Sequence, residues 1–282
     1  MEFGSKKALK LLLKKYSLFP KKRLGQHFLI DKRVLRKIIK TANLSSKDIC
    51  LEIGPGLGIL TQELAKKVKK VIAVEKDPQM VEILRRTLKD FSNIEIIQGD
   101  ILKIEINFLK TKPRSFKVVA NLPFYLTTPL IRKFLESPKN QPKEMILLIQ
   151  KEVAQRICQE NNILGISVLF YAKAEIIDYV SKKSFWPQPK VDSAIIKIIP
   201  KKLPQYINPE FTKKFFQILR AGFSQPRKKI INNFVKKLNL EKKEIKKWLE
   251  KNKIRPDQRP QTLTLNDWLK LTKSLSNFSS TR

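Results

Sequence analysis

The segment Glu52-Ile53-Gly54-Pro55-Gly56-Leu57-Gly58 stands between the apolar run Ile49-Cys50-Leu51-Glu52-Ile53 and the stretch from Ile59 to Lys67. The run reads as a buried strand, the glycine-rich piece as a turn and the stretch as a helix. Glycines allow a sharp turn and let a ligand come close to the start of the helix. Downstream the same alternation repeats. Val71-Ile72-Ala73-Val74 is a strand ending at Glu75, Pro78 to Leu88 a helix, and Ile94-Glu95-Ile96-Ile97 a strand followed by Asp100. Lys117-Val118-Val119-Ala120 is a fourth strand, ending at Asn121, and Met145 to Ile149 is a fifth. Strands that alternate with helices predict an α/β fold with a mostly parallel sheet covered on both faces.

Further along, Ala172 to Val180 and Ser193 to Ile199 complete a seven-stranded sheet, with Phe185-Trp186-Pro187-Gln188-Pro189 between them as a stiff aromatic loop. After Pro200 the character changes. Helices are expected over 210–222, 226–238, 241–251 and 264–274, in a strongly basic tail. Upstream, Val34, Leu35, Ile38 and Ile39 recur at helical spacing between Asp31 and Ala42, and the short apolar run Leu9 to Leu13 starts a helix within a basic lead-in broken by Pro20. Met1-Glu2-Phe3-Gly4-Ser5 resembles a cloning scar. The expected organisation is a basic extension at 1–23, a catalytic domain at 24–203 and a small all-helical domain at 204–282.

With 59 Lys and Arg against 25 Asp and Glu, the net charge of +34 points to a polyanionic partner, and nucleic acid is the common one. A lysine-rich genome bias alone would leave acids to compensate, and they do not. No apolar run approaches the roughly 20 residues of a membrane helix. Cys50 and Cys158 are far apart in apolar surroundings, which suits reduced thiols in a cytoplasmic protein. His27 is the single histidine, which argues against a multi-histidine metal site or a catalytic triad.

The spacing Gly-x-Gly-x-Gly, with Glu52 two positions before the first glycine, differs from the Gly-x-Gly-x-x-Gly of dinucleotide sites. It suits S-adenosylmethionine, which carries no pyrophosphate. Glu75 stands where a carboxylate accepts from both ribose hydroxyls, and Asp100 where it accepts from the adenine amine. The carboxyl ends of neighbouring parallel strands form one crevice, so these groups converge. Asn121-Leu122-Pro123-Phe124 follows the fourth strand. An adenine amine is a poor nucleophile because its lone pair is delocalised into the ring. The Asn121 side-chain oxygen and the Leu122 carbonyl can accept its two hydrogens and favour a pyramidal nitrogen, while Pro123 stiffens the turn and Phe124 stacks on the base. Catalysis would then be positioning plus electrostatics on a flipped-out base.

These residues resemble the KsgA family of small-subunit ribosomal RNA adenine dimethyltransferases over nearly the whole chain. The resemblance is carried by Lys22 to Asp31, Glu52 to Gly58, Asn121 to Phe124 with Thr128-Pro129-Leu130, and Phe185 to Ser193. In the tail it rests on Arg220 to Gln225, Asn232-Asn233, and Arg259-Pro260 with Leu263. It implies a Rossmann-like methyltransferase fold, S-adenosylmethionine as cofactor with S-adenosylhomocysteine as product, and a helical RNA-binding domain. His27 and Leu29 would line the methionine end of the cofactor. Gly54, Gly56, Glu75, Asp100 and Asn121 would be its further contacts, and Phe185 would stack on the target base opposite Phe124. The implied reaction is dimethylation of two adjacent adenosines near the 3′ end of small-subunit (16S) RNA within a pre-30S particle, by a monomer. His27 stands where asparagine is commoner in the family, and Phe124 where tyrosine is more usual.

Three alternatives remain at this point. A large-subunit (23S) RNA methyltransferase of the antibiotic-resistance type shares the motifs, although the Phe-Ser-Gln and Arg-Pro-Gln segments of the tail favour the small-subunit reading. A non-catalytic assembly factor would not be expected to retain Glu52, Glu75, Asp100 and Asn121. A nicotinamide-dependent oxidoreductase leaves Asn121 to Phe124 and the charge without a role.

Overall fold

The computed structural model describes residues 6–16, 18–21, 25–106 and 112–275, with side chains from Leu9 onward. The cloning-scar segment, Lys22-Arg23-Leu24 of the leading motif and the last seven residues lie outside it. In chain order the first elements are α1 (Lys6–Lys15), β1 (Phe28–Leu29), α2 (Lys32–Ala42), β2 (Ile49–Ile53), α3 (Ile59–Ala65), β3 (Lys70–Glu75) and α4 (Pro78–Thr87). Next come β4 (Ile94–Gln98), β5 (Phe116–Asn121), α5 (Thr127–Leu135), β6 (Glu144–Gln150), α6 (Lys151–Ile157), α7 (Ile163–Tyr171), β7 (Ala172–Val180), β8 (Phe185–Trp186) and β9 (Ser193–Pro200). Helices α8 (Pro209–Gly222), α9 (Ile230–Lys237), α10 (Lys242–Lys251) and α11 (Leu265–Leu275) close the described chain.

Seven strands form one sheet in the order β4-β3-β2-β5-β6-β9-β7. The pairings from β4 through β6 are parallel, and β9 runs antiparallel to β6. Central strands of a covered parallel sheet are apolar on both faces. Leu51, Val71, Val118, Val119, Ile146 and Leu147 are accordingly all buried. The seven expected strands are present and the sheet is mostly parallel, as the alternation of elements implied.

At the lower edge of β5, Lys117 is buried and its ammonium donates to the Ala42 and Asn43 carbonyls at 2.9 and 2.8 Å. It also pairs with Glu144 at 3.0 Å and Asp48 at 3.4 Å. This buried cation fastens the end of α2 to the strands that carry the site.

The chain divides into two compact units that are not contiguous in sequence: 1–154 with 173–200, and 155–172 with 201–282. Residues 155–172, placed by the sequence inside a domain at 24–203, go with the helical unit. The reason is aromatic packing. Phe170 stacks on Phe215 at 4.3 Å, and Tyr171 on Phe216 at 5.8 Å. The lead-in, expected as an extension, belongs with the sheet unit, because Leu9, Leu12 and Leu13 of α1 are buried against Phe28, Leu57, Met80 and Ile83. The aromatic loop also differs from expectation. Its first two residues form β8, which pairs antiparallel with β1, Phe28 opposite Trp186 and Leu29 opposite Phe185.

Lys117→Met removes the cation from between two carboxylates and two carbonyls. Breaking a buried pair of this kind costs about 3 kcal/mol, so urea denaturation should show a loss of that size. A loss within error of zero would mean Lys117 does not hold the sheet to α2.

Candidate functional site

The strand ends converge because the register of the parallel ladder makes them. Glu75 pairs with Gln98 across β3 and β4, and Asn121 with Leu148 across β5 and β6. The ladder continues past the strands: Gly54 N–H donates to the Val74 carbonyl at 2.9 Å and Gly99 N–H to the Glu75 carbonyl at 2.8 Å. One open cleft results, enclosing about 1110 Å³ together with the solvent at its mouth. Its walls come from residues 25–29, 52–57, 74–76, 99–101 and 121–126, with Phe185 and Pro189. Every residue singled out in the sequence as a site residue therefore borders the same cleft.

At the glycine turn, Gly56 has φ of +57°, and a Cβ there would stand 3.1 Å from the Phe28 ring. A side chain would be strained at that φ and would press on β1. The Gly56 N–H donates to Glu75 Oε2 at 3.2 Å, while Asp77 N–H donates to Oε1 at 2.8 Å. Glu75 is thus aimed by main-chain donors on both oxygens. Burial pushes its pKa up, only partly offset by the donors from Asp77, Gly56 and Lys76.

Asp100 is held differently. Burial works against its charge, but the Lys76 ammonium at 3.0 Å and the Leu102 N–H at 3.0 Å outweigh that and lower its pKa. Glu52 is the reverse case. It is 2% exposed, its Oε2 has no partner among the described residues, and desolvation raises its pKa to about 8, partly offset by Thr61 and helped by the charge of Glu75. A buried carboxyl with one oxygen unpartnered, lining a cleft, fits a cationic ligand group. The glycine-loop pattern places Glu52 at its start and assigns it no contact. The readable signal was a lone charge within an otherwise apolar strand.

On the other side of the cleft, Asn121 ends β5 and its Nδ2 donates to the His27 carbonyl at 3.1 Å. A carbonyl only accepts, so this contact settles which end of the amide is nitrogen. Oδ1 is left as the acceptor. His27 Nδ1 lies 2.7 Å from the Pro187 carbonyl and must carry the hydrogen there, which leaves Nε2 without one in the neutral ring. The His27 ring stacks on Phe124 at 5.7 Å and 28°. Leu122 N–H donates to the Leu148 carbonyl at 3.1 Å, which pins the turn to β6. Leu29 and Phe185 are 5% and 4% exposed and share one core cluster, so each serves as wall and core together.

Sequence motifs separated by more than 150 residues meet here. Ile30 N–H donates to the Ser184 carbonyl at 2.9 Å, and the Ser184 hydroxyl to Asp31 at 3.2 Å. Gln26 and Lys21 both donate to Asp77, the N-cap of α4, at 3.1 and 3.0 Å. The leading motif is therefore clamped between the aromatic segment and the helix that follows Glu75.

This sheet order, with ligand groups at successive carboxyl ends and one antiparallel strand beside β6, is that of the Rossmann-like S-adenosylmethionine-dependent methyltransferases. The profile of the ribosomal RNA adenine dimethylase family matches residues 19–277, and the chain belongs to that family. It is 40% identical over 278 residues to the ribosomal RNA small subunit methyltransferase A of Geobacillus sp. (strain WCH70), covering 94% of this chain and 95% of that one. Among solved structures it is similar to a dimethyladenosine transferase from Plasmodium falciparum, with a TM-score of 0.72 and 30% identity over 90% of this chain and 98% of that one. It is also similar to the 23S rRNA methyltransferase ErmE, with a TM-score of 0.72 and 25% identity over 88% and 99%. The chain is an S-adenosylmethionine-dependent ribosomal RNA methyltransferase.

The Glu52 environment has a consequence for stability. Its folded pKa lies above the ordinary carboxylate value, so the native state binds the extra proton between about pH 4.5 and about pH 8. Stability falls as pH rises through that window. Glu52→Gln removes this contribution, so the difference in melting temperature, variant minus parent, should grow from pH 5 to pH 9. Parallel curves would show that the carboxyl is not protonated in the fold.

Proposed function

We infer that this chain methylates the exocyclic amines of adenines in small-subunit ribosomal RNA, using S-adenosylmethionine as donor. The observation that carries the reading is Asn121: it lines the cleft that also holds Glu52, Glu75 and Asp100, and its amide nitrogen is committed to the His27 carbonyl, which leaves its oxygen as the acceptor.

The bound cofactor supplies an electrophilic methyl group on sulfur. Glu75 is assigned to the ribose hydroxyls and Asp100 to the adenine amine. Gly54 and Gly56 let the backbone approach the cofactor, and His27 and Leu29 wall its methionine end. Glu52 is the carboxylate that would meet the cofactor's ammonium. Asn121 Oδ1 and the Leu122 carbonyl would accept the two hydrogens of the target amine and so favour a pyramidal nitrogen with its lone pair free for the methyl group. With the cofactor bound, its methyl group would pass to this nitrogen, S-adenosylhomocysteine would leave, and the nitrogen would give up one proton to water. Pro123 fixes the turn, and Phe124, already stacked on His27, offers its ring to the flipped base. Phe185 supports the opposite wall. The effect of the site is orientation and fixed dipoles.

The finer reading is dimethylation of two adjacent adenosines near the 3′ end of 16S RNA within a pre-30S particle, by a monomer in the cytoplasm. No helix among the described residues is long and apolar enough to cross a membrane. The helical region 204–282 is assigned to RNA binding, on the exposed Lys236, Lys237, Lys242, Lys243, Lys246 and Lys247. Activity on 23S RNA is the second reading, favoured by the similarity to ErmE at lower identity.

Unmethylated small and large subunits incubated with the labelled cofactor separate the two. Label should map to paired adenosines of small-subunit RNA; label on large-subunit RNA alone would overturn the assignment. Asn121→Ala should lower kcat by about 100-fold or more with RNA affinity little changed. Equal loss of both would make Asn121 structural.

A further inference from the structure

We propose that Lys133 is a positioning residue of the cofactor site: its ammonium clamps the turn at 100–104 and thereby aims Asp100 at the cofactor's adenine. The proposal rests on the assignment of Asp100 to that adenine.

The turn is a short folded unit with two ends. At its start, Asp100 Oδ1 accepts from Leu102 N–H at 3.0 Å, and the Asp100 carbonyl accepts from Lys103 and Ile104 N–H at 2.9 and 3.0 Å. Asp100 thus caps the turn it begins, and the orientation of its carboxylate is tied to the shape of the turn. The unit is also tightly folded back on β4. A Cβ at Gly99 would come within 2.5 Å of Ile104 Cδ1, closer than such atoms approach. A turn of this length leaves carbonyls at its far end with no partner further along a helix.

Lys133 supplies those partners. From α5 its Nζ donates to the Ile101 carbonyl at 2.7 Å, to Leu102 at 3.2 Å and, by a short contact, to Ile104. An ammonium has three hydrogens and no acceptor, so three converging carbonyls match it fully. Bonds from a charged donor are stronger than neutral ones. Removal of the side chain would leave three carbonyls of one turn without their donor and free Asp100 to swing with the loop. Burial pushes the Lys133 pKa down, against the attraction of Asp100 and Glu105, which is the behaviour of a cation partly withdrawn from water.

The position of the helix adds a second link. α5 starts at Thr127, directly after the Phe124–Leu126 turn that follows Asn121. One rigid helix therefore carries the substrate turn at its start and the clamp on the donor's adenine loop near its end. Lys133 touches neither ligand in this scheme; it acts through the backbone.

The test compares two ligands that differ only at the group Asp100 reads: S-adenosylhomocysteine and its 6-deamino analogue S-nebularinylhomocysteine, in which a hydrogen replaces the adenine amine and N1 stays an acceptor. Calorimetry on the parent, Lys133→Met and Asp100→Asn gives the preference of each for the amine. The parent should favour S-adenosylhomocysteine, Asp100→Asn should lose that preference, and Lys133→Met should reduce it by about tenfold, the scale of one charged hydrogen bond, with the KM for RNA unchanged. A preference in Lys133→Met equal to the parent's, or equal weakening of both ligands, overturns the clamp while leaving Asp100 in place. An unchanged preference in Asp100→Asn overturns the adenine assignment itself. Should Lys133→Met not fold, Lys133→Gln is read in the same way, because its amide can satisfy at most two of the three carbonyls; there an intermediate preference supports the clamp and a parental one overturns it.

Discussion

The parallel hydrogen-bond ladder from β4 through β3, β2 and β5 to β6 is the constraint from which the site follows. Parallel strands all end on the same edge, so whatever each strand carries at its carboxyl end is delivered to one crevice. Gly54, Glu75, Asp100 and Asn121 are far apart along the chain and adjacent only there. Because the Gly54 and Gly99 amides extend the ladder beyond the strands proper, the loops leave the sheet with their first residues already oriented. The cleft is thus a by-product of sheet register, refined by short turns.

Electrostatics divides the molecule into two regimes. The surface charge is strongly positive, as an RNA-binding protein needs, yet the cleft is lined by Glu52, Glu75 and Asp100. These acids are handled in three ways: Glu75 by main-chain donors, Asp100 by Lys76, and Glu52 by Thr61 alone, with Oε2 left without a partner among the described residues. The lone case is the informative one. A buried carboxyl with no cation beside it is costly in a bare fold, and it makes sense beside a ligand that brings a positive charge. Lys117, by contrast, is surrounded by acceptors and has a purely architectural role.

Much of the sheet was legible because its strands are short apolar runs closed by a functional residue. The helices α6 and α7 were not read. Ile163-Leu164-Gly165-Ile166-Ser167-Val168-Leu169-Phe170-Tyr171 is apolar nearly all round, so it lacks the one-sided period that marks a surface helix. Its membership of the helical unit depends on Phe170 and Tyr171 meeting Phe215 and Phe216, a contact that spacing does not encode. β1 and β8 were also missed. Each is two residues long, and each exists only because the other, more than 150 residues away, supplies its hydrogen bonds.

The succession of strands along the chain, the glycine turn, the acids at the end of β3 and after β4 and the Asn-Leu-Pro-Phe turn were determined by the sequence alone, because local propensity and apolar period act over a few residues. The tertiary structure decided the rest: that His27 orients the Asn121 amide, that Glu52 is buried with Oε2 unpartnered among the described residues, that Phe185 is as much core as wall, and that Lys133 reaches the loop of Asp100. Each of these is a hydrogen bond or a burial between segments distant in the chain. Such contacts depend on where the backbone closes in space, and no window of sequence contains both partners.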